Sequence, residues 1–520
     1  MTADFFDPIQ RYHSSEKQQN KKKLVDIIPQ RKRCFKIPEK GIDKELLVEE
    51  VEKAVERCAV RYDKGIMDAK PGTLPDQFSY SLAASVVGRI HPNLVDPAMF
   101  VGMFELERET MSMLGELMHH PNIRRCNAWF TSGGSESMTQ ALYSFRNKYF
   151  REKEGFSFAN NNKHDKPKIR ASGLQSFLGD KPKILVPVDA HLCVERAADV
   201  LGLGIDSVVH YGLDNKYQTD LKSFRERIDE IHKQGDNILA VIPTVGDVSK
   251  GRLDKVSEMF EILKEKYGGK NTPPIIVDAA QQFLFSSVIG EKSIHQEWDF
   301  GIEGVKAIIL DPHKTPGAVY GGGVVMFRDT ELMNETSLES PYLHSDKSQG
   351  YEFVEEMGQL PGMFISRSGH NAVMLWAYLT SRGMSGLRKE AERMQGLTKK
   401  LSQALESPES PFKLITGSAC PIIPFEMKEG GHKANDRVYH RINESGDEER
   451  YYISHSDTMK VRTLEDLAAY KESKRKVGLN EKAEGFGGLY VQIMNHHTDE
   501  RVNGLIKHLY HVGRMVARDV

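Results

Sequence analysis

Ile184-Leu185-Val186-Pro187-Val188, Ser207-Val208-Val209, Ile238-Leu239-Ala240-Val241-Ile242 and Pro274-Ile275-Ile276-Val277-Asp278 are apolar runs with no polar alternation. Between them, Val194 to Leu201, Leu221 to His232 and Val256 to Tyr267 carry helical periodicity. Unalternating strands separated by helices predict a parallel sheet covered on both faces, an α/β fold. In such sheets ligands gather beyond the carboxyl ends of the strands. Thr131 to Ser135, His191, Gly246, Asp278 and Lys314 all fall at or just past predicted strand ends, so the fold would line them up along one edge.

Further along, Ile308-Ile309-Leu310-Asp311-Pro312-His313-Lys314-Thr315-Pro316-Gly317 precedes Gly321-Gly322-Gly323-Val324-Val325-Met326-Phe327. This reads as strand, loop, strand, with a lysine at a strand end. A lone lysine in a glycine-rich loop is ordinarily a surface residue. Held at a ligand edge, its amine can instead form a Schiff base with a carbonyl. Upstream, Ala128-Trp129-Phe130-Thr131-Ser132-Gly133-Gly134-Ser135-Glu136-Ser137 runs from a short strand through a Gly-Gly turn into a helix. The free N–H groups of such a helix start bind anions, although Ser132 or Ser135 could equally be an ordinary cap. No GK[ST] follows, so this is not a P-loop.

Composition narrows the function classes. The chain has 520 residues, 39% hydrophobic and 28% charged, with a net charge of −2. That suits a soluble globular protein and gives no reason to expect a nucleic-acid or membrane partner. The five cysteines, Cys34, Cys58, Cys126, Cys193 and Cys420, are scattered, with no CxxC pair. They suggest a reducing compartment, and no metal site is expected. Neither a secretory leader nor a membrane-spanning run is evident, so a cytoplasmic address is expected. His119-His120 ends a predicted helix and is expected to be structural. The basic runs Lys21-Lys22-Lys23 and Arg31-Lys32-Arg33 are expected to be solvated.

Three units are expected: an N-terminal helical arm over residues 1–75, a large domain over 76–375 and a smaller α+β domain over 376–520. The arm holds an amphipathic helix from about Lys44 to Lys64 that could wrap a partner subunit. Helices from about Asn371 to Arg382 and Leu387 to Leu405 are separated by Gly383 and Gly386, and residues 428–485 show no clear pattern.

An anion cradle (Gly133, Gly134, Ser135), a flat ring (His191), a carboxylate (Asp278) and an amine (Lys314) on one sheet edge match the needs of pyridoxal phosphate. Its phosphate wants a helix N-terminus, its ring a stacking partner, its pyridine nitrogen an acid and its aldehyde a lysine. The blocks Thr131 to Ser137, Ala190-His191 with Val194-Glu195-Arg196-Ala197-Ala198, Val277-Asp278-Ala279-Ala280 and Asp311-Pro312-His313-Lys314 resemble those of the group II pyridoxal-phosphate amino acid decarboxylases. In wording they are similar to the archaeal tyrosine/aspartate decarboxylases and to glutamate decarboxylases. The resemblance covers roughly residues 85–390. It implies an aspartate-aminotransferase-like fold (fold type I), a homodimer, and decarboxylation of an L-amino acid to the amine and carbon dioxide. By the same resemblance Lys314 forms the Schiff base, His191 stacks on the ring, Asp278 pairs with the ring nitrogen and Ala280 packs on the other face. Gly133, Gly134, Ser135 and His313 hold the phosphate, and Tyr342 is the mobile-loop residue that returns a proton after carbon dioxide leaves.

This chain departs from the family in three places. Asp247-Val248 follows Gly246 where a hydroxyl residue is usual, with Thr244 a candidate to compensate. Gln281-Gln282-Phe283 replaces an aromatic-Gly-Gly block, and about fifteen extra residues lie between Gln349 and Ser366. The Thr131 to Ser137 block is also similar to sphingosine-phosphate lyases. A carbon–carbon lyase acting on a phosphorylated amino alcohol is therefore the alternative reading, and a relative that keeps the cofactor as a structural ligand is a third.

Overall fold

Each of the apolar runs between Ile184 and Asp278 contains a strand, and both faces of the sheet they form are buried. The computed structural model describes residues 43–56, 67–68, 73–96, 99–157, 166–177, 179–293, 297–339, 359–360, 363, 366–443, 451–477 and 485–519. Seven strands build the large sheet: β1 (Asn127–Thr131), β2 (Lys183–Pro187), β3 (Val208–Tyr211), β4 (Ile238–Val241), β5 (Ile275–Asp278), β6 (Val305–Leu310) and β7 (Gly323–Phe327). Their order is β1-β7-β6-β5-β4-β2-β3. The pairs from β6 through β3 are parallel, while β7 runs antiparallel to both β6 and β1. This is the mostly parallel sheet expected.

Alternate residues of each strand feed separate cores. Ile308 and Leu310 of β6 pack on one face and Ala307 and Ile309 on the other. Val324 and Met326 of β7 are likewise separated from Val325 and Phe327. Two-sided burial is why these strands read as unbroken apolar runs. One face is covered by α3 (Val101–Leu117), α6 (Leu221–Lys233) and α7 (Val256–Tyr267) through Met111, Leu114, Phe224, Ile228 and Met259. The other is covered by α4 (Gly134–Lys153) and α5 (Cys193–Val200) through Met138, Leu142, Phe145, Val194 and Ala197. Upstream of these lie α1 (Lys44–Glu56) and α2 (Gln77–Ile90). The helix α8 (Phe283–Ser293) follows β5.

Helix α9 (His370–Glu406) joins the large sheet to a second unit. It breaks at Gly383, whose φ of 58° is open to glycine at little cost. Leu375 and Tyr378 before the break belong to the large core, and Leu397, Leu401 and Leu405 belong to the second. That second unit is a four-stranded antiparallel sheet of β8 (Phe412–Leu414), β9 (Ile422–Met427), β10 (Ser454–Ser456) and β11 (Gly488–Gln492), in the order β8-β9-β11-β10. It is flanked by α10 (Gly431–Asn443), α11 (Leu464–Val477) and α12 (Asp499–Arg518). Helix α10, β10 and α11 occupy the span that sequence pattern left unassigned.

Several expectations fall outside the described residues. These are the far end of the predicted Lys44–Lys64 helix, both basic runs, most of the extra stretch near 350–365 and Tyr342. His119 and His120 are structural: His119 Nδ1 lies 2.7 Å from Asp299, and the buried His120 bonds the Phe327 carbonyl at 2.9 Å. Cys126, Cys193 and Cys420 are buried. Among the described residues no helix is long and apolar enough to cross a membrane.

Candidate active site

The carboxyl ends of β2, β5 and β6 and the start of α4 surround one cavity of about 470 Å³. Gly133, Gly134, Ser135, His191, Thr244, Asp278, Ala280, His313 and Lys314 all line it. Strand geometry explains the convergence. Asp278 is the last residue of β5, and Lys314 ends a short 3-10 turn that follows the neighbouring β6. His191 follows β2, on the far side of β4 from β5.

The expected anion cradle is a stretch of glycine backbone at a helix start. Helix α4 starts after Gly133, which has φ +150°, and no side chain caps it. The Ser132 and Ser135 caps allowed by sequence are therefore not made; instead Glu136 reaches back to accept from the Ser132 N–H at 2.7 Å. A Cβ at Gly134 would lie 2.9 Å from Asp311 Oδ2 and 3.3 Å from the Ala280 Cβ. A Cβ at Gly133 would lie 3.3 Å from the His313 ring. Side chains at either position would fill the space an anion needs.

Lys314 Nζ donates to Asp311 Oδ2 at 2.9 Å. Burial opposes the ammonium charge, but Asp311, with Asp278 behind it, overcomes that and raises the pKa above the ordinary lysine value. Asp278 is buried and accepts from the Ala280 N–H at 3.2 Å. Burial pushes its carboxyl up, against the pull of Lys314 and His191. His191 Nδ1 accepts from the Cys193 N–H at 3.2 Å, and burial lowers its imidazole pKa against the pull of Asp278. Burial also pushes the Cys193 thiol well above its ordinary pKa, which makes it inert as a nucleophile. His313 packs 4.9 Å from the ring of Tyr320, which is 75% exposed. Both His313 Nδ1 and Asp311 Oδ1 are buried without a hydrogen-bond partner.

Behind the cavity wall lies a charge network that sequence reasoning missed. Asp189 takes Lys250 at 2.9 Å and Arg252 through two contacts, one of them at 3.1 Å. Arg252 also reaches Asp254, and Lys250 lies 3.2 Å from Asp247 and 3.1 Å from the Ser249 hydroxyl. Asp254 accepts from the Thr244 N–H at 2.7 Å, the Thr219 hydroxyl at 2.6 Å and the Tyr211 hydroxyl at 3.2 Å. Lys250 and Arg252 are completely buried. Burial works against charge on Asp189, but Arg252 and Lys250 more than offset it and hold its carboxyl well below the ordinary value. The available signal was four charges, Asp247, Lys250, Arg252 and Asp254, clustered around Gly246 and Gly251 just beyond a buried strand.

This network accounts for one family departure. Asp247 accepts from the Ser249 N–H at 3.1 Å and the Lys250 and Arg252 N–H groups at 3.2 Å, so its carboxylate closes the loop. The Gln281-Gln282 departure also has a structural cause. Gln281 donates to Gln492 of β11 at 2.7 Å, tying the small sheet to the cavity edge. Gln282 packs where a Cβ at Gly246 would come within 2.4 Å. In Ser366-Arg367-Ser368-Gly369, which precedes α9, Arg367 holds the buried Glu107 at 3.0 and 2.8 Å.

Residues 35–428 match the pyridoxal-dependent decarboxylase conserved domain. The chain belongs to the pyridoxal-dependent decarboxylases. Its relatives include a probable L-tyrosine/L-aspartate decarboxylase of Methanothermobacter thermautotrophicus, 30% identical over 351 residues, covering 67% of this chain and 80% of the relative. The structure of Oryza sativa TDC with PLP and tryptamine superimposes with a TM-score of 0.73 at 14% identity, over 98% of this chain and 96% of the other. That of Burkholderia pseudomallei sphingosine-1-phosphate lyase gives 0.64 at 18% identity, over 94% and 93%. The decarboxylase is therefore a fold type I pyridoxal 5'-phosphate enzyme, a carboxy-lyase acting on an L-amino acid. The lyase alternative is not favoured, because likeness to the lyase structure shows the fold alone. The cavity fits the coenzyme: a side-chain-free cradle at a helix start adjoins a buried imidazole nitrogen that lacks a partner.

Proposed function

We propose that Lys314 tethers the coenzyme aldehyde and that Gly133, Gly134, Ser135 and His313 hold its phosphate. In this reading His191 stacks on the ring, Ala280 packs against it and Thr244 borders it. Asp278 supplies the carboxylate that keeps the ring nitrogen protonated. The carrying observation is that Lys314 and the buried Asp278, placed by adjacent strands, open on one cavity with an uncapped helix start. When bound, the coenzyme supplies an electron sink for the pair released from the Cα–carboxylate bond. The chain's own part is placement: it orients that bond and shields the site from water. Tyr342 is the proposed donor of a proton to Cα after carbon dioxide leaves.

The enzyme is proposed to be a cytoplasmic homodimer. Leu46 and Val51 of α1 are 53% and 59% exposed, and Phe78 and Met99 are also exposed, which supports an arm that packs on a second copy. The division into an arm at 1–75, a large domain at 76–375 and a small one at 376–520 is supported by two separate sheets and cores, with α9 shared between them.

The test is a screen of the twenty L-amino acids for carbon dioxide release with added coenzyme, beginning with L-tyrosine and L-aspartate. One substrate class should turn over, and Lys314→Ala should remove both turnover and the absorbance of lysine-bound coenzyme. Release of an aldehyde from a phosphorylated amino alcohol, with no carbon dioxide from any amino acid, would overturn this reading.

A further inference from the structure

Away from the cavity, in the small unit, α10 and the edge strand β10 bring three metal-ligating side chains together. His432 lies in the first turn of α10, and Asp436 follows one turn later on the same face. His432 Nε2 is 3.3 Å from Asp436 Oδ2. From β10, His455 Nε2 comes within 3.7 Å of Asp436 Oδ1. All three ligand atoms lie within 4.8 Å of one another.

The state of His455 is what singles this cluster out. Its side chain is only 5% exposed, and its Nε2 has no hydrogen-bond partner. On the opposite side of the ring, Nδ1 lies 3.1 Å from Asp457 Oδ1. A carboxylate there takes the Nδ1 hydrogen and leaves the Nε2 lone pair facing outward. That lone pair points at the Asp436 carboxylate, so two acceptors meet in a half-buried space. A cation between them bonds to both. Gly487 keeps the approach open, because a Cβ there would sit 2.6 Å from Nε2.

We propose that His432, Asp436 and His455 form a site for a divalent transition ion of the zinc class, with Asp457 as positioning residue. Two imidazoles and one carboxylate select such an ion over magnesium or calcium, which favour all-oxygen shells. Metal–ligand bonds of about 2.0–2.2 Å in a tetrahedron place ligand atoms about 3.3–3.5 Å apart; His432 Nε2 stands 3.3 Å from Asp436 Oδ2, and His455 Nε2 stands 3.7 Å from its other oxygen, Oδ1. The fourth position is left to water. The ion pins the start of α10 to the strand β10. Nothing in the spacing of residues 428–485 flagged the site, because its ligands come from a helix and a strand that pattern alone did not resolve.

The experiment uses the full-length holoenzyme, stripped with a chelator and dialysed against graded zinc chloride, with metal content measured per chain. The wild type should take up one equivalent that His432→Ala and His455→Ala bind at least about 100-fold more weakly, while Asp457→Asn weakens it about 10- to 100-fold. Zinc should raise the melting temperature of the wild type and leave that of His432→Ala unchanged. If alanine at 455 unfolds the edge strand, His432→Ala, on the more exposed ligand, carries the test. Equal zinc uptake by the wild type and His432→Ala, or no uptake by the wild type, would overturn the assignment.

Discussion

Two lysines, one lining the decarboxylase cavity and one behind its wall, stand in opposite conditions. Lys250 is wholly enclosed and meets three oxygens, from Asp189, Asp247 and Ser249, at 2.9, 3.2 and 3.1 Å. Lys314 keeps 22% of its side chain exposed and, among the described residues, pairs with Asp311 alone, at 2.9 Å. Around Lys250 every ammonium direction has an acceptor. Around Lys314 there are open space and unpaired atoms, His313 Nδ1 and Asp311 Oδ1. Buried polar groups are nearly always paired, so unpaired ones clustered at a cavity point to something that binds there. The same residue type is a structural brace in one setting and the amine proposed to react in the other, and the difference lies in its neighbours.

The sharpest way to break this comparison is to exchange the consequences. Lys314→Ala should lower turnover on the order of 10⁴-fold or more, as loss of a nucleophile does, with a smaller drop in the urea midpoint than Lys250→Met, because only Asp311 loses a partner and it does so beside open space. Lys250→Met should do the reverse, leaving Asp189 and Asp247 short of a buried counter-charge at a cost of about 3–5 kcal/mol. Equal stability loss in the two variants would remove the distinction. One step smaller, His313→Ala deletes the unpaired imidazole. If that nitrogen holds the phosphate, coenzyme affinity should fall by the value of one charged hydrogen bond, about 1.5–3 kcal/mol or roughly 10- to 150-fold. Titration of the apoenzyme by absorbance measures this, and unchanged affinity would assign His313 to packing.

The comparison also marks what sequence could reveal. Gly133-Gly134, Asp278 and Lys314 were legible because each sits at the end of an apolar strand, and strand ends of a parallel sheet share one edge. The break at Gly383 was legible because glycine is the residue that tolerates that backbone. The brace was not, because Asp189 and Arg252 are 63 residues apart and meet only once β2 and β4 are paired. Its loop reads as ordinary surface charge until the fold encloses it. The span 428–485 failed for another reason. Helix α11, Leu464–Val477, is polar around most of its circumference, and β10 is three residues long, so neither carries a period to read.

The smallest effect tests the brace by proton linkage. In the folded chain, burial disfavours the Asp189 charge, yet Arg252 and Lys250 hold its carboxyl well below the usual range. In the unfolded chain the same group titrates near its ordinary value of about 3.9. A depressed folded pKa means that the unfolded chain takes up the proton first as pH falls. The stabilisation is therefore fully present above about pH 4 and is lost as pH drops toward the folded value, at up to about 1.4 kcal/mol per pH unit. Asp189→Asn cannot take up that proton. Its stability should be lower than wild type at neutral pH and should fall less steeply between about pH 4 and pH 2, as read from urea unfolding across that window. Parallel acid limbs in the two proteins would mean that Lys250 and Arg252 are held by Asp247 and Asp254 alone, and that Asp189 belongs with the cavity and not with the brace.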